Sequence, residues 1–134
     1  MNLLPLGAAG IFAVLGALHL IYTLSDMFGR PRYFAPRDPA LLEAMRATRI
    51  ALAPGGRDMW SVYMGFNLTH SLSVLLLALL IVLAVVLPLP ALKLPVIALG
   101  LLVTLISWAC FFHIPTIACA AASALMIVGW ALAA

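Results

Sequence analysis

The sequence predicts an all-α fold, a polytopic membrane four-helix bundle, and three observations carry that reading. Two thirds of the chain (66%) is apolar and 8% is charged, whereas a soluble domain needs roughly a quarter charged residues to coat its surface. Every fixed charge except Lys93 lies between Asp26 and Asp58. The mean hydropathy is +1.23, and the apolar residues fall in runs long enough to cross a bilayer. Residues 1–134 read as a single membrane domain with no second folding unit.

The first span is expected at about 3–24. It contains no Lys or Arg, so it lacks the basic start of a secretory signal and reads as a retained helix. It gives way to the polar group Ser25, Asp26 and Arg30 and to a loop, 25–58, that holds all six arginines. Within that loop Asp38-Pro39 has the form of an N-cap followed by proline at the first helical position. Leu41, Leu42 and Met45, continued by Ile50 and Leu52, mark one apolar face, with Glu43, Arg46 and Arg49 largely off it. This is the pattern of a short interfacial amphipathic helix lying on the bilayer, with Arg46 and Arg49 meeting anionic lipid headgroups. Docking onto a protein partner is the alternative use of the same face.

The second span, 59–87, starts after Asp58 as N-cap and is closed by Pro88 and Pro90. At about 1.5 Å per residue it is roughly 42 Å long, more than a hydrocarbon core of about 30 Å. The apolar run from Leu92 to Ala133 covers about 60 Å if helical, two membrane thicknesses, and must turn back. Phe112-His113-Ile114-Pro115 is the candidate breakpoint, because proline suits the first turn of a helix. Spans three and four are therefore expected at about 95–112 and 115–133.

Six arginines in the 25–58 loop against Lys93 alone in the next turn predict a cytoplasmic loop by the positive-inside rule. Both termini then face the outside or the periplasm, and the turn at His113 faces the cytoplasm. The expected location is the bacterial inner membrane. The net charge of +3 reads as this orientation signal; no aromatic-basic pattern indicates nucleic acid. Cys110 and Cys119 lie in apolar runs and are expected to be buried hydrophobes, not a disulfide. The small residues Ala9, Ala13 and Ala17 predict close helix packing and make a homo-oligomer or a larger membrane complex a reasonable expectation.

Polar residues within the spans gather in the cytoplasmic leaflet: His19, Tyr22, Thr23, Tyr63, Asn67, Thr69, His70, Ser71, Ser73, His113 and Thr116. Ionisable groups in a membrane are costly, face the bundle interior and mark functional places by default. Phe12, Gly16, His19, Tyr22 or Thr23, and Asp26 form one helical stripe, and Trp60, Tyr63, Asn67, His70 or Ser71, and Val74 another. His19, Asn67, His70 and Tyr63 are the candidate binding residues. Against this stand three plain readings: polar groups that only knit helices, Trp60 and Tyr63 as an interfacial aromatic belt, and His113 as a wet turn residue.

Haem b is one candidate ligand, with His70 as the iron-ligating residue. His19 and His70 are expected to differ in depth by roughly 7 Å, a poor match for both ligating one iron. A zinc site lacks a third ligand at helical spacing. A proton relay lacks a carboxylate within any span, since Asp26 and Asp58 read as terminal, and this argues against an ion-coupled transporter. A lipid-soluble molecule such as a quinone, polyprenyl or sterol-like compound, with its polar head on His70, Asn67 or Tyr63, is the other option. A non-catalytic subunit or assembly factor of a membrane complex is the competing class.

His19-Leu20, Pro36-Arg37-Asp38-Pro39, Met45-Arg46-Ala47-Thr48 and Gly65-Phe66-Asn67-Leu68-Thr69-His70-Ser71 resemble the pattern of a group of small, uncharacterised bacterial four-helix membrane proteins. The resemblance covers most of the chain and implies fold and topology without an activity. In architecture the chain is also similar to the styrene oxide isomerases, small four-helix membrane proteins with a haem-ligating histidine near the start of span two. That likeness implies His70 as ligand and Asn67 or Tyr63 as the group polarising an oxygen substituent. The motif around the histidine, Gly-Phe-Asn-Leu-Thr-His-Ser, departs from theirs.

Overall fold

A computed structural model describes residues 3–52, 55–87 and 89–133. It contains five helices: α1 Leu3–Phe28, α2 Pro39–Ala47, α3 Met59–Val86, α4 Pro90–Cys110 and α5 His113–Ala131. α1, α3, α4 and α5 are each long and apolar enough to cross a membrane. The chain is therefore an all-α four-helix bundle of the multi-pass membrane type, with a short fifth helix between the first two spans. Pro88, expected to help close the second span, lies outside the described residues.

Several boundaries differ from the sequence expectation by one to five residues, three of them for a clear local reason. α1 continues four residues past Leu24 because Ser25 and Asp26 remain helical; the Gly29 amide then donates to the Ser25 carbonyl at 2.8 Å and ends the helix. α4 starts at Pro90, not near residue 95. Proline at the first turn lacks only a hydrogen that the helix does not use, and Pro95 is carried inside the helix, as membrane helices tolerate. α5 starts at His113, so the turn is Phe111–Phe112 and Pro115 sits within the first helical turn.

The chain divides into two compact units, one of residues 1–16 with 73–134, the other of residues 17–72. The first unit holds the apolar core. Ala8, Ala9 and Phe12 of α1, Leu77, Ala78 and Ile81 of α3, Val96 of α4, and Cys119, Ala122, Met126 and Trp130 of α5 are buried together. Small residues set the spacing. A methyl group on Gly129 would come within 2.5 Å of the Pro5 ring and 2.9 Å of Leu4 Cβ, and one on Gly16 would meet Leu75 at 2.9 Å. Close approach of this kind is what drives helix association where lipid removes the hydrophobic incentive.

Polar groups between α4 and α5 satisfy each other. Thr104 Oγ1 donates to the Gly100 carbonyl at 2.9 Å and lies 3.1 Å from Ser123 Oγ, while Ser107 Oγ donates to Cys119 Sγ at 3.8 Å. Cys119 is buried as expected. Cys110, at the end of α4, is exposed, because only three residues of that helix, Val96, Gly100 and Ser107, turn fully inward.

Candidate functional site

The second unit carries the polar residues of the site. Its geometry begins with Asp26, which the sequence reading places outside the helices. Because α1 runs to Phe28, Asp26 lies inside it and is 1% exposed. Its carboxylate accepts backbone N–H groups from three successive loop residues: Arg32 at 2.9 Å, Tyr33 at 3.0 Å and Phe34 at 2.7 Å. A buried carboxylate must be compensated, and here the loop's own amides do it. The premise that no span holds a buried carboxylate is thereby corrected; both oxygens of this one are engaged in folding the loop back onto the helix.

That fold-back delivers two aromatic rings to α1. Tyr33 stacks on Tyr22 with centroids 4.3 Å apart, and the Arg32 guanidinium lies 4.5 Å over the Tyr33 ring and donates to its hydroxyl. The guanidinium over an aromatic face is a cation–π contact. Phe34 reaches the imidazole of His19, centroid to centroid 4.6 Å.

His19 is the hub. Its Nε2 lies 3.0 Å from Oδ1 of Asn67 on α3, and its ring meets that of His70 edge to face at 5.1 Å. The Asn67 amide is oriented by a second bond, from Nδ2 to the Tyr63 carbonyl at 2.9 Å. With Nδ2 donating there, Oδ1 is the acceptor, so His19 Nε2 carries the hydrogen and donates to it; in the neutral ring Nδ1 then holds the lone pair. Thr23 and Ser71, both fully buried, donate to the carbonyls of His19 and Asn67, each at 2.8 Å, and spend their hydroxyls within their own helices.

Three of the four predicted site residues, His19, Asn67 and His70, come together. Tyr63 contributes its backbone carbonyl, while its ring packs 5.9 Å from Trp60 and is 38% exposed. The depth mismatch expected between the histidines does not occur. His19 stands nine residues before the end of α1 and His70 eleven after the start of α3, so the helix extension that buries Asp26 levels them to about 3 Å. Sequence reasoning missed Phe34 and Asp26; the only signal for them was a Phe in a polar loop and an Asp on the His19 stripe. His113 is exposed at the start of α5. Among the described residues no three His, Cys, Asp or Glu side chains converge on a metal-sized site.

The arrangement bears directly on haem. Two imidazoles in edge-to-face contact leave no slot for a macrocycle between them, so His19 and His70 together do not fit as a bis-histidine pair. Compared with protein-family models, with curated proteins and with solved structures, the chain matches none.

Proposed function

We propose that this protein, placed in a bacterial inner membrane with the 25–58 loop cytoplasmic, binds an apolar small molecule by an oxygen substituent at the His19–Asn67–His70 cluster. The observation that carries this is the doubly fixed Asn67 amide. It sets His19 in one tautomer, hydrogen on Nε2 and lone pair on Nδ1, and a second imidazole stands against it. A hydroxyl or quinol can donate to such an acceptor, and an imidazole beside bound substrate is the commonest group for proton transfer. A quinone, polyprenyl or sterol-like compound meets the need for an apolar body and a polar head, and isomerase or oxidoreductase chemistry is the class that follows. The helix-knitting reading, a subunit of a larger complex, has one observation in its favour: among the described residues no buried side-chain nitrogen or oxygen lacks a partner.

The test uses the detergent-purified chain. Its absorption from 300 to 700 nm is recorded before and after dithionite, and Trp60 emission, in a Trp108→Phe, Trp130→Phe background, is followed as decyl-ubiquinol or geranylgeraniol is added. A saturable change in emission lost in His70→Ala and Asn67→Ala is the expected result. A flat titration with a stoichiometric membrane protein copurifying would assign the cluster to assembly. A Soret band lost in His70→Ala would replace the lipid-like ligand with haem on a single axial His70.

A further inference from the structure

A second polar feature lies in the same unit, and nothing about it depends on the histidines. α2 ends at Ala47 with Arg46 in its last turn and no residue of the helix buried. The strand-like residues that follow pair with those before α3: Arg49 bridges Asp58 antiparallel, the Met59 amide donates to the Thr48 carbonyl at 2.9 Å, and the Ile50 amide to that of Arg57 at 3.4 Å. These pairings hold Arg49 and Arg57 on adjacent backbone segments. Gly55 turns at φ 78°, a conformation that a residue with a Cβ adopts only at a cost.

The result is an open depression of about 600 Å³ lined by Arg46, Arg49, Arg57, Gly55, Gly56 and Asp58. Asp58 does not cancel the arginines, because its carboxylate is turned to α3, accepting the Ser61 amide at 2.9 Å and hydroxyl at 2.7 Å. Three arginines lining one depression suit a phosphoryl group, whose oxygens accept several forked donors at once. Exposed apolar side chains lie near these arginines in the chain: Leu52 is 91% exposed, and Met59 and Leu41 are also exposed. A ligand matching both has a phosphate beside hydrocarbon.

We infer that Arg46, Arg49 and Arg57 form a binding site for the phosphate of an anionic phospholipid, a defined headgroup site in place of a diffuse basic surface. The test titrates the full, detergent-solubilised chain with dioctanoyl phosphatidylglycerol and counts bound lipid by native mass spectrometry. Arg46→Gln, Arg49→Gln and Arg57→Gln are each expected to weaken retention about fivefold, the equivalent of one arginine at an anionic surface. Arg57→Lys should fall between, keeping charge and losing the fork. The pair Arg30→Gln, Arg37→Gln removes more charge from the same loop and should leave retention unchanged. Equal weakening by that pair would reduce the effect to bulk charge and overturn the site. Displacement of the lipid by inorganic phosphate at matching concentration would give the site to a soluble phosphate and overturn the lipid assignment.

Discussion

At the scale of single residues, Asp26 decides more than any other side chain of the second unit. It alone holds residues 32–34 by their amides, and those residues carry the Phe34 ring that packs on His19 and the Tyr33 ring that packs on Tyr22. Removing the acceptor leaves three amides to find water, at about 1–3 kcal/mol for the orphaned groups. Asp26→Ala should therefore open the loop, and trypsin reads it at Arg32, since Arg30 is protected by Pro31. Cleavage after Arg32 is expected to accelerate by about five- to 150-fold, the range equivalent to that energy, with Asp26→Asn intermediate because it keeps one carbonyl oxygen. Unchanged cleavage would show that the loop is held by something else. The candidate site was legible where it followed helical spacing, as at His19, Asn67 and His70. It was illegible where it depended on the loop, because a carboxylate that caps amides six to eight residues onward leaves no periodic trace.

At the scale of elements, apolar length marks a membrane helix more reliably than polar residues mark its end. The four spans follow from uninterrupted hydropathy, and the α2 start at Pro39 follows from Asp38, which accepts the Ala40 amide at 2.9 Å. The misplaced ends, at Phe28 and Pro90, are those where tertiary bonds or helix-tolerant prolines override local signals. The α3 start shows a cap that works as its residue type predicts. Asp58 accepts the Ser61 amide and hydroxyl, bonds that hold its carboxyl below the usual carboxylate value of 3.8. A carboxyl whose folded pKa is depressed contributes stability above its unfolded pKa and loses it as pH falls through the folded one. Fraying of the first α3 turn should thus be constant from neutrality down to about pH 5 and grow below the ordinary carboxylate value. Hydrogen exchange at residues 59–62, corrected for intrinsic rates, reads it; Asp58→Asn should abolish the pH dependence while retaining a cap. A pH response that persists in Asp58→Asn would move its origin to another group.

At the scale of the whole molecule, charge and length distribution act together. α1 and α3 have 26 and 28 residues, about 39 and 42 Å, and so exceed a hydrocarbon core of about 30 Å by several residues each. α4 and α5, with 21 and 19 residues, match it closely. The surplus length belongs to the helices that flank the arginine-rich loop, where His19, Asn67 and His70 can reach partners without standing at the bilayer centre. Six arginines there against Lys93 alone, in the first turn of α4, make translocation of that loop the costly choice. Single cysteines test the orientation in a Cys110→Ser, Cys119→Ser background. Arg37→Cys should react with an impermeant maleimide in inverted vesicles and stay unlabelled in spheroplasts, and Lys93→Cys should do the reverse. The opposite pattern would turn the histidine cluster toward the outer face, where a ligand would arrive from the periplasmic leaflet. Labelling of both cysteines from both sides would mean that six arginines do not fix the chain's direction, and the headgroup site would then face either leaflet. The expected pattern would put the proposed arginine site and the histidine cluster on the same, anionic cytoplasmic leaflet, so that a lipid held at Arg46, Arg49 and Arg57 would border the layer from which the proposed apolar ligand would reach His19 and His70.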